Sequence, residues 1–333
     1  MKRPLLVVLL LVVVGISVFA WSRSSLPTLD GSQAAEVLRQ AAEKSRTLQS
    51  ARFSVNGLFQ MEGGTLPSAG TFDLKGSMQD AGSTVSLDAD IDTIITPGGN
   101  RSQLFRVRGA GSVILLSQKD LYFRLASLTT EPASSLFQPE LINLLIQRWW
   151  LLPSAPSQQG LGSLPGGEMT PSPNVLRVQS QVVRVVKDLG LTTMEGKSAY
   201  HFQVTIDSEK LLQYFEEVAR SRNEPFDKEK FLESTKDFSA LGEMWIDQES
   251  LFLRQVQWSI TRFRWGDAMV TTSFTASFFD FNSAPPITPP KDAQALSAFS
   301  FLGLPIPKSD TLPSVKPLQS SAAPKSSVSA PTE

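Results

Sequence analysis

The spacing of apolar residues changes along the chain and separates helix-forming from strand-forming stretches. Apolar residues between Ser32 and Leu48 recur every three or four positions, which predicts an amphipathic helix. After residue 52 the period becomes two, and short turns interrupt it at Gly63-Gly64, Asp80-Ala81-Gly82 and Pro97-Gly98. This pattern predicts a meander of antiparallel strands over 53–61, 72–78, 85–92, 104–117 and 121–128.

The second half of the chain repeats the order of helices followed by strands. The spacing predicts helices over 139–150, 209–220 and 228–237, and strands over 200–206, 241–247, 251–263 and 269–281. Valines on one side of 175–188 predict a further helix, although a strand at one end of that segment stays open. One large curved antiparallel sheet shared by both halves explains this order more simply than two domains do.

The N-terminus carries the strongest targeting signal. Lys2 and Arg3 precede an apolar run from Leu5 to Trp21 that would span roughly 25 Å as a helix, slightly less than the hydrocarbon core of a bilayer. The run predicts a signal anchor or a signal peptide over 1–23, with the rest of the chain outside the cytoplasm. Trp21 and Arg23 favour an uncleaved anchor in the cell membrane, and cleavage would instead give a secreted protein.

Composition further divides the chain. Residues 24–282 form the predicted extracytoplasmic domain, and a Pro/Gly-rich segment at 153–173 predicts a flexible loop within it. Residues 283–333 are rich in proline and serine, which predicts a disordered tail.

Candidate chemistry is sparse. The chain has no cysteine, one histidine (His201) and a net charge of −1, so composition offers no disulfide and no reason to expect a nucleic-acid partner. No catalytic motif is present, and we expect no catalytic residue, metal or cofactor. His201 lies on a predicted strand, and Asp88, Asp90 and Asp92 share one strand face, which favours a solvated surface over a calcium site.

Three stretches carry a resemblance to a known family. They run from Leu48 to Val55, from Gly196 to Val204, and from Gly242 to Asp247 with the following Leu253 to Val256. Their order is similar to that of the LolA-like and LppX/LprG-like envelope lipid carriers, also called lipoprotein localisation factors. The resemblance implies an α+β fold in which a half-barrel sheet holds helices on its concave face above a hydrophobic cavity. It also implies binding of a lipid or lipoprotein without catalysis, although this chain lacks the lipidated cysteine of the lipoprotein members.

The leading interpretation is therefore a bacterial membrane-tethered protein that binds or carries lipid acyl chains. The partners expected are the membrane, through the N-terminal helix, and a lipid or lipoprotein ligand; the oligomeric state stays open. The candidate lining is the apolar face of the later strands: Phe202, Val204, Met244, Ile246, Val256, Trp258, Ile260, Phe274 and Phe278. The alternative is a non-catalytic structural or sensing module of the cell envelope with a filled core, because the same residues would build an ordinary core.

Overall fold

A computed structural model describes residues 33–96, 104–116, 120–133, 142–143, 145–152, 178, 181–221, 223, 225–265 and 267–295. The predicted anchor at 1–23, the loop at 153–173 and the tail beyond residue 295 lie outside these residues. Among the described residues, no helix combines the length and the apolar composition needed to cross a membrane.

The described residues form three α-helices and twelve strands. The helices are α1 (Gln33–Ser45), α2 (Ser208–Ser221) and α3 (Lys228–Thr235). The first strands are β1 (Ser50–Gly63), β2 (Ser68–Gln79), β3 (Thr84–Ile95), β4 (Phe105–Leu116), β5 (Asp120–Glu131) and β6 (Trp150–Leu152). The later strands are β7 (Val183–Met194), β8 (Lys197–Ile206), β9 (Ser239–Asp247), β10 (Leu253–Trp265), β11 (Ala268–Phe279) and β12 (Gln294–Ala295).

All twelve strands belong to one large curved sheet in the order β12-β6-β5-β4-β3-β2-β1-β11-β10-β9-β8-β7. Every neighbouring pair is antiparallel except β6 and β12, which are parallel. The prediction of a wholly antiparallel sheet was therefore wrong at this edge. After β11 the chain returns to the edge of the sheet beside β6, where Gln294 donates its backbone N–H to the Trp149 carbonyl at 2.9 Å. The architecture agrees with an open half-barrel.

Strand alternation gives the sheet an apolar face and a polar face. On the apolar face, Phe53 of β1 pairs with Phe278 of β11, and Val55 pairs with Leu74 of β2 and Ala276 of β11. These side chains are at most 6% exposed. Residues one position away, such as Arg52, point to the polar face. The strict register explains why the period of two in the sequence predicted the strands correctly.

Helix α1 covers part of the apolar face. Ala34, Val37, Leu38 and Ala41 lie three or four positions apart, are at most 7% exposed, and belong to the same hydrophobic cluster as the strands. Burial of a side chain such as Leu38 contributes about 2 kcal/mol. The opposite side of the helix carries Arg39, whose ion pairs with exposed glutamates contribute little.

Two predicted helices differ from the structure. Residues 183–188, the end of the segment 175–188 that was predicted as a helix, begin strand β7, which is the alternative that the valines left open. Trp150, predicted to end a helix, begins β6. In β7 the register slips between Val185 and Lys187 and again between Asp188 and Gly190. Each slip inserts a residue, so the valines lose the period of two and resemble the spacing of a helix.

A buried carboxylate organises the turn between β9 and β10. Asp247 is 4% exposed and accepts hydrogen bonds from the Ser250 N–H (2.7 Å), the Ser250 hydroxyl (2.8 Å) and Arg254 Nε (2.8 Å). Burial alone would raise the pKa of Asp247, but the Ser250 hydrogen bonds and the Arg254 guanidinium outweigh it and hold the pKa below its usual value. The ionised carboxylate therefore stabilises the folded state.

We predict that Asp247→Asn lowers the free energy of unfolding by about 3 kcal/mol at pH 7, because Arg254 loses its buried partner. Since the folded pKa lies below the unfolded value of about 3.9, this contribution is present above pH ~4 and is lost as the pH falls through the folded pKa. Urea unfolding from pH 7 to pH 2 should show the two proteins converging in acid. The control is Asp280→Asn, which removes an exposed ion pair with Arg52 and should cost under about 1 kcal/mol. An equal loss in the two variants would contradict the prediction.

Candidate functional site

The nine residues predicted to line a cavity lie together on the apolar face, in strands β8 to β11. In one register row Phe202, Met244 and Val256 are neighbours, and in the next Val204, Gly242 and Trp258 are neighbours. Eight of the nine are between 1% and 5% exposed, and Ile260 packs against their cluster while half-buried. They therefore share one face of the sheet, as the alternation in the sequence predicted, and they are buried or half-buried there.

Aromatic rings fill the space above glycines in this part of the face. A β-carbon at Gly76 would lie 2.6 Å from Cζ of Phe53, and one at Gly242 would lie 2.7 Å from Cε3 of Trp258. Both distances are far below van der Waals contact. These glycines leave room for aromatic rings, and the apolar face is closely packed from β2 to β9 in the order of the sheet.

The apolar face is less well covered around the middle of β3, β4 and β5, whereas Ile95, Phe105 and Val107 near one end of β3 and β4 are buried in a second cluster. Gly109 pairs with Ile91 and Leu128, and Gly111 pairs with Ala89 and Leu125. A β-carbon at Gly109 would have only ordinary contacts, the nearest at 3.4 Å to Leu128 Cδ1. One at Gly111 would lie 2.8 Å from the backbone oxygen of Arg124 in β5, but no side chain fills the space beside it.

Half-buried or exposed apolar side chains surround these two glycines. We call the group the apolar strip: Ala89, Ile91, Gly109, Gly111, Val113, Leu115, Phe123 and Leu125. Val113 is 37% exposed although it faces the same side of the sheet as the buried Leu87. The strip was not predicted from the sequence. The sequence feature that could have indicated it is glycine at two alternate positions on the apolar face of a strand.

The polar face carries a groove of about 680 Å³. Its walls include one cross-strand row of Gln257, Thr275, Asn56, Asp73 and Asp90, which are neighbours in the register of five strands. Leu58 also lines the groove and is 52% exposed. The groove therefore offers hydrogen-bonding groups with an apolar side chain among them.

The aspartates of β3 have different surroundings. Asp88 accepts a hydrogen bond from the Ser112 hydroxyl at 2.6 Å, and Asp92 pairs with Arg106 and Arg108. The hydrogen bond from Arg106 lowers the pKa of Asp92 from its ordinary value. Asp90 is the register neighbour of Asp73 on β2, and both line the groove. In the part of the chain that the structure describes, no group of three or more such side chains is arranged to hold a metal ion.

His201 lies on the polar face outside the residues that line the groove. Its Nε2 is 2.8 Å from Oε2 of Glu243, and its ring stacks on Trp245 with centroids 4.5 Å apart. The three residues come from adjacent strands β8 and β9. The stack and the hydrogen bond hold the imidazole on the sheet surface.

The solved structures that resemble this chain include three proteins of low sequence identity. Lipoprotein LppX from Mycobacterium tuberculosis is 15% identical, with a TM-score of 0.30, covering 77% of this chain and 100% of its own. LprF from Mycobacterium bovis is 12% identical, with a TM-score of 0.35, covering 78% and 96%. A β-barrel-like protein of a domain of unknown function, DUF1849, from Brucella abortus is 8% identical, with a TM-score of 0.31, covering 70% and 99%.

The resemblance to LppX-type proteins that the sequence indicated is thus confirmed as a structural likeness. No family model matches the chain, and no curated protein matches it in sequence. Identities of 8% to 15% assign no activity to this chain.

The difference between the packed region and the apolar strip can be tested at two glycines. We predict that Gly242→Val lowers the free energy of unfolding by about 3 kcal/mol, because its side chain would overlap the Trp258 ring. Gly109→Val should cost under about 1 kcal/mol, because its β-carbon would make only ordinary van der Waals contacts, the nearest at 3.4 Å to Leu128 Cδ1. Urea unfolding of both variants measures the difference. Similar losses would mean that the strip is as closely packed as the rest of the face.

Proposed function

We propose that this is a membrane-tethered extracytoplasmic protein that binds or carries the acyl chain of a lipid, without catalysis. The observation that supports the proposal is the apolar strip, a half-exposed apolar surface continuous with a buried hydrophobic face. Monomeric soluble domains rarely leave such surfaces open unless they bind something. The sequence resemblance to envelope lipid carriers points to the same class of ligand.

The strip has suitable dimensions for one acyl chain. From Gly109 to Leu115 it runs along β4 for roughly 20 Å at 3.3 Å per residue. One leaflet of a bilayer's hydrocarbon core is about 15 Å thick, so a single chain in extended form would lie within the strip. Each Å² of apolar surface removed from water contributes about 25 cal/mol. Because Gly109 and Gly111 have no side chains, the methylenes would approach the backbone between Ile91 and Leu125.

The nine residues predicted from the sequence would form the rigid floor beside the strip. A ligand between α1 and these residues would have to displace Ala34, Val37, Leu38 and Ala41, which are buried against the face. Exposing Val37 or Leu38 would cost about 2 kcal/mol each, and exposing each alanine under about 1 kcal/mol. We therefore place the first binding position on the strip and a deeper position beneath α1.

The tether belongs to the same proposal. The apolar run from Leu5 to Trp21 would anchor the chain, and nine residues separate Arg23 from α1. Nine residues reach roughly 30 Å when extended. The anchor would hold the sheet close to the source of its lipid.

We predict that Gly109→Leu weakens uptake of a fluorescent fatty acid by about tenfold or more, because the new side chain occupies one end of the strip, between Ile91 and Leu128. Uptake is measured by fluorescence titration of the full chain in detergent-free nanodiscs. Native mass spectrometry of the unsubstituted protein then identifies any lipid that copurifies.

The matched control is Ala110→Leu, one residue along β4 and on the opposite face, where it lines the groove. This variant should take up the fatty acid normally. Equal loss in both variants would point to a general disturbance of β4. Absence of lipid and of uptake in the unsubstituted protein would overturn the proposal.

A second candidate function is supported by the groove on the polar face. A non-catalytic interaction module of the cell envelope would use its row of Gln257, Thr275, Asn56, Asp73 and Asp90 to hydrogen-bond a polar partner. In that case Ala110→Leu should reduce cosedimentation with cell-wall material. The backbone of Gly109 also borders the groove, but its new side chain would lie on the opposite face, so Gly109→Leu should reduce cosedimentation much less. The same pair of variants thus separates the two functions.

A further inference from the structure

An aromatic cluster joins helices α2 and α3 outside the main core. The ring centroid of Phe231 lies 5.2 Å from that of Phe215 and 5.7 Å from that of Phe226. Phe215 remains 38% exposed, and Leu232, in the next position on α3, is 48% exposed. Only Leu212 and Ala219 of α2 are buried in the body of the protein. The hairpin therefore presents apolar side chains to its surroundings.

The topology places this hairpin at a definite end of the sheet. It connects the end of β8 at Ile206 to the start of β9 at Ser239. Through the antiparallel registers of β9, β10, β11 and β1, this is the same end as Gly63, where β1 finishes. Helix α1 finishes at the other end, where Lys44 lies 6.0 Å from the ring centroid of Phe252. The first residue of α1, Gln33, lies about 16 Å from Lys44 along the helix axis and is farther from the Phe252 end of the sheet.

The length of chain before α1 limits how far the hairpin can lie from a membrane. Nine residues between Arg23 and α1 reach roughly 30 Å, less than the diameter of roughly 45 Å of a compact domain of this length. A tether that short holds the molecule against the bilayer surface. The exposed apolar side chains of α2 and α3 then lie within reach of the lipid.

We propose that the α2–α3 hairpin docks on the lipid surface through Phe215, Phe226 and Leu232. Residues 208–221 and 225–237 carry seven acidic and five basic side chains, a net charge of −2. Two of the glutamates are engaged, Glu217 with Arg220 at 2.6 Å and Glu216 with Lys228 at 3.7 Å. Docking therefore depends on burial of apolar surface and not on attraction to anionic headgroups. The inference rests on the proposed tether and is independent of the apolar strip.

The absence of cysteine allows a direct test. Leu232→Cys in the full chain is labelled with an environment-sensitive fluorophore and reconstituted into phosphatidylcholine vesicles that contain brominated lipid. The label should shift to the blue and be quenched at a depth of roughly 5–10 Å below the headgroups. Leu58→Cys, on the polar face and similarly exposed at 52%, is the matched control and should show neither change. Replacing part of the phosphatidylcholine by phosphatidylserine should not increase quenching.

A second substitution tests the apolar contact itself. Phe215→Ser in the labelled Leu232→Cys protein should abolish most of the quenching, and circular dichroism checks that the fold is kept. Quenching at position 232 no greater than at position 58 would overturn the proposal. A blue shift without vesicles that grows with protein concentration would assign the surface to a second copy of the chain. Fatty-acid uptake measured on the same variants separates the two proposals, because lost docking with retained uptake would leave the acyl-chain site standing.

Discussion

Burial of the apolar face of the sheet is the interaction on which the rest of the structure depends. A strand period of two puts every second side chain on that face, and twelve strands extend it well beyond the width of one helix. Helix α1 covers the middle of the face, and rings seated over Gly76 and Gly242 complete the packing there. The coverage decreases towards β5. The apolar strip follows from the mismatch between a wide sheet and a 13-residue helix.

The two edges of the sheet are protected by different means. The edge at β12 is two residues long, too short to pair with another chain. The edge at β7 is long, and Val186, Leu189 and Leu191 are exposed on it. Its two register slips, at Val186 and Leu189, break the regular row of backbone groups that another strand would need. The two register slips therefore oppose edge-to-edge association at β7, although they leave apolar side chains exposed there.

The sequence correctly predicted the features that depend on the local spacing of apolar residues. It did not predict the features that depend on pairing between strands far apart in the chain. The strands from β1 to β5 and β8 to β11, and the shared face of Phe202, Met244 and Val256, follow from alternation alone. The slips in β7 and the parallel pairing of β12 depend on partners far along the chain, and no local pattern encodes them. The strip was not predicted, because a glycine in a strand does not indicate whether an aromatic ring fills the space beside it. Phe53 does so at Gly76, and the sequence could not distinguish that case from Gly109 and Gly111.

An open apolar strip would be expected to close by collapse of its walls unless the backbone resists. Here the resistance comes from the ladder: β4 pairs with β3 and with β5 over eleven positions each, so the strands beside Gly109 and Gly111 cannot approach one another. The closest neighbouring side chain, Leu128, already stands at contact distance. The strip is thus held open by backbone hydrogen bonds and not by its own side chains. Under the proposed function, an acyl chain would meet a site whose shape the backbone already sets, and such preorganisation favours binding because little conformational entropy is lost.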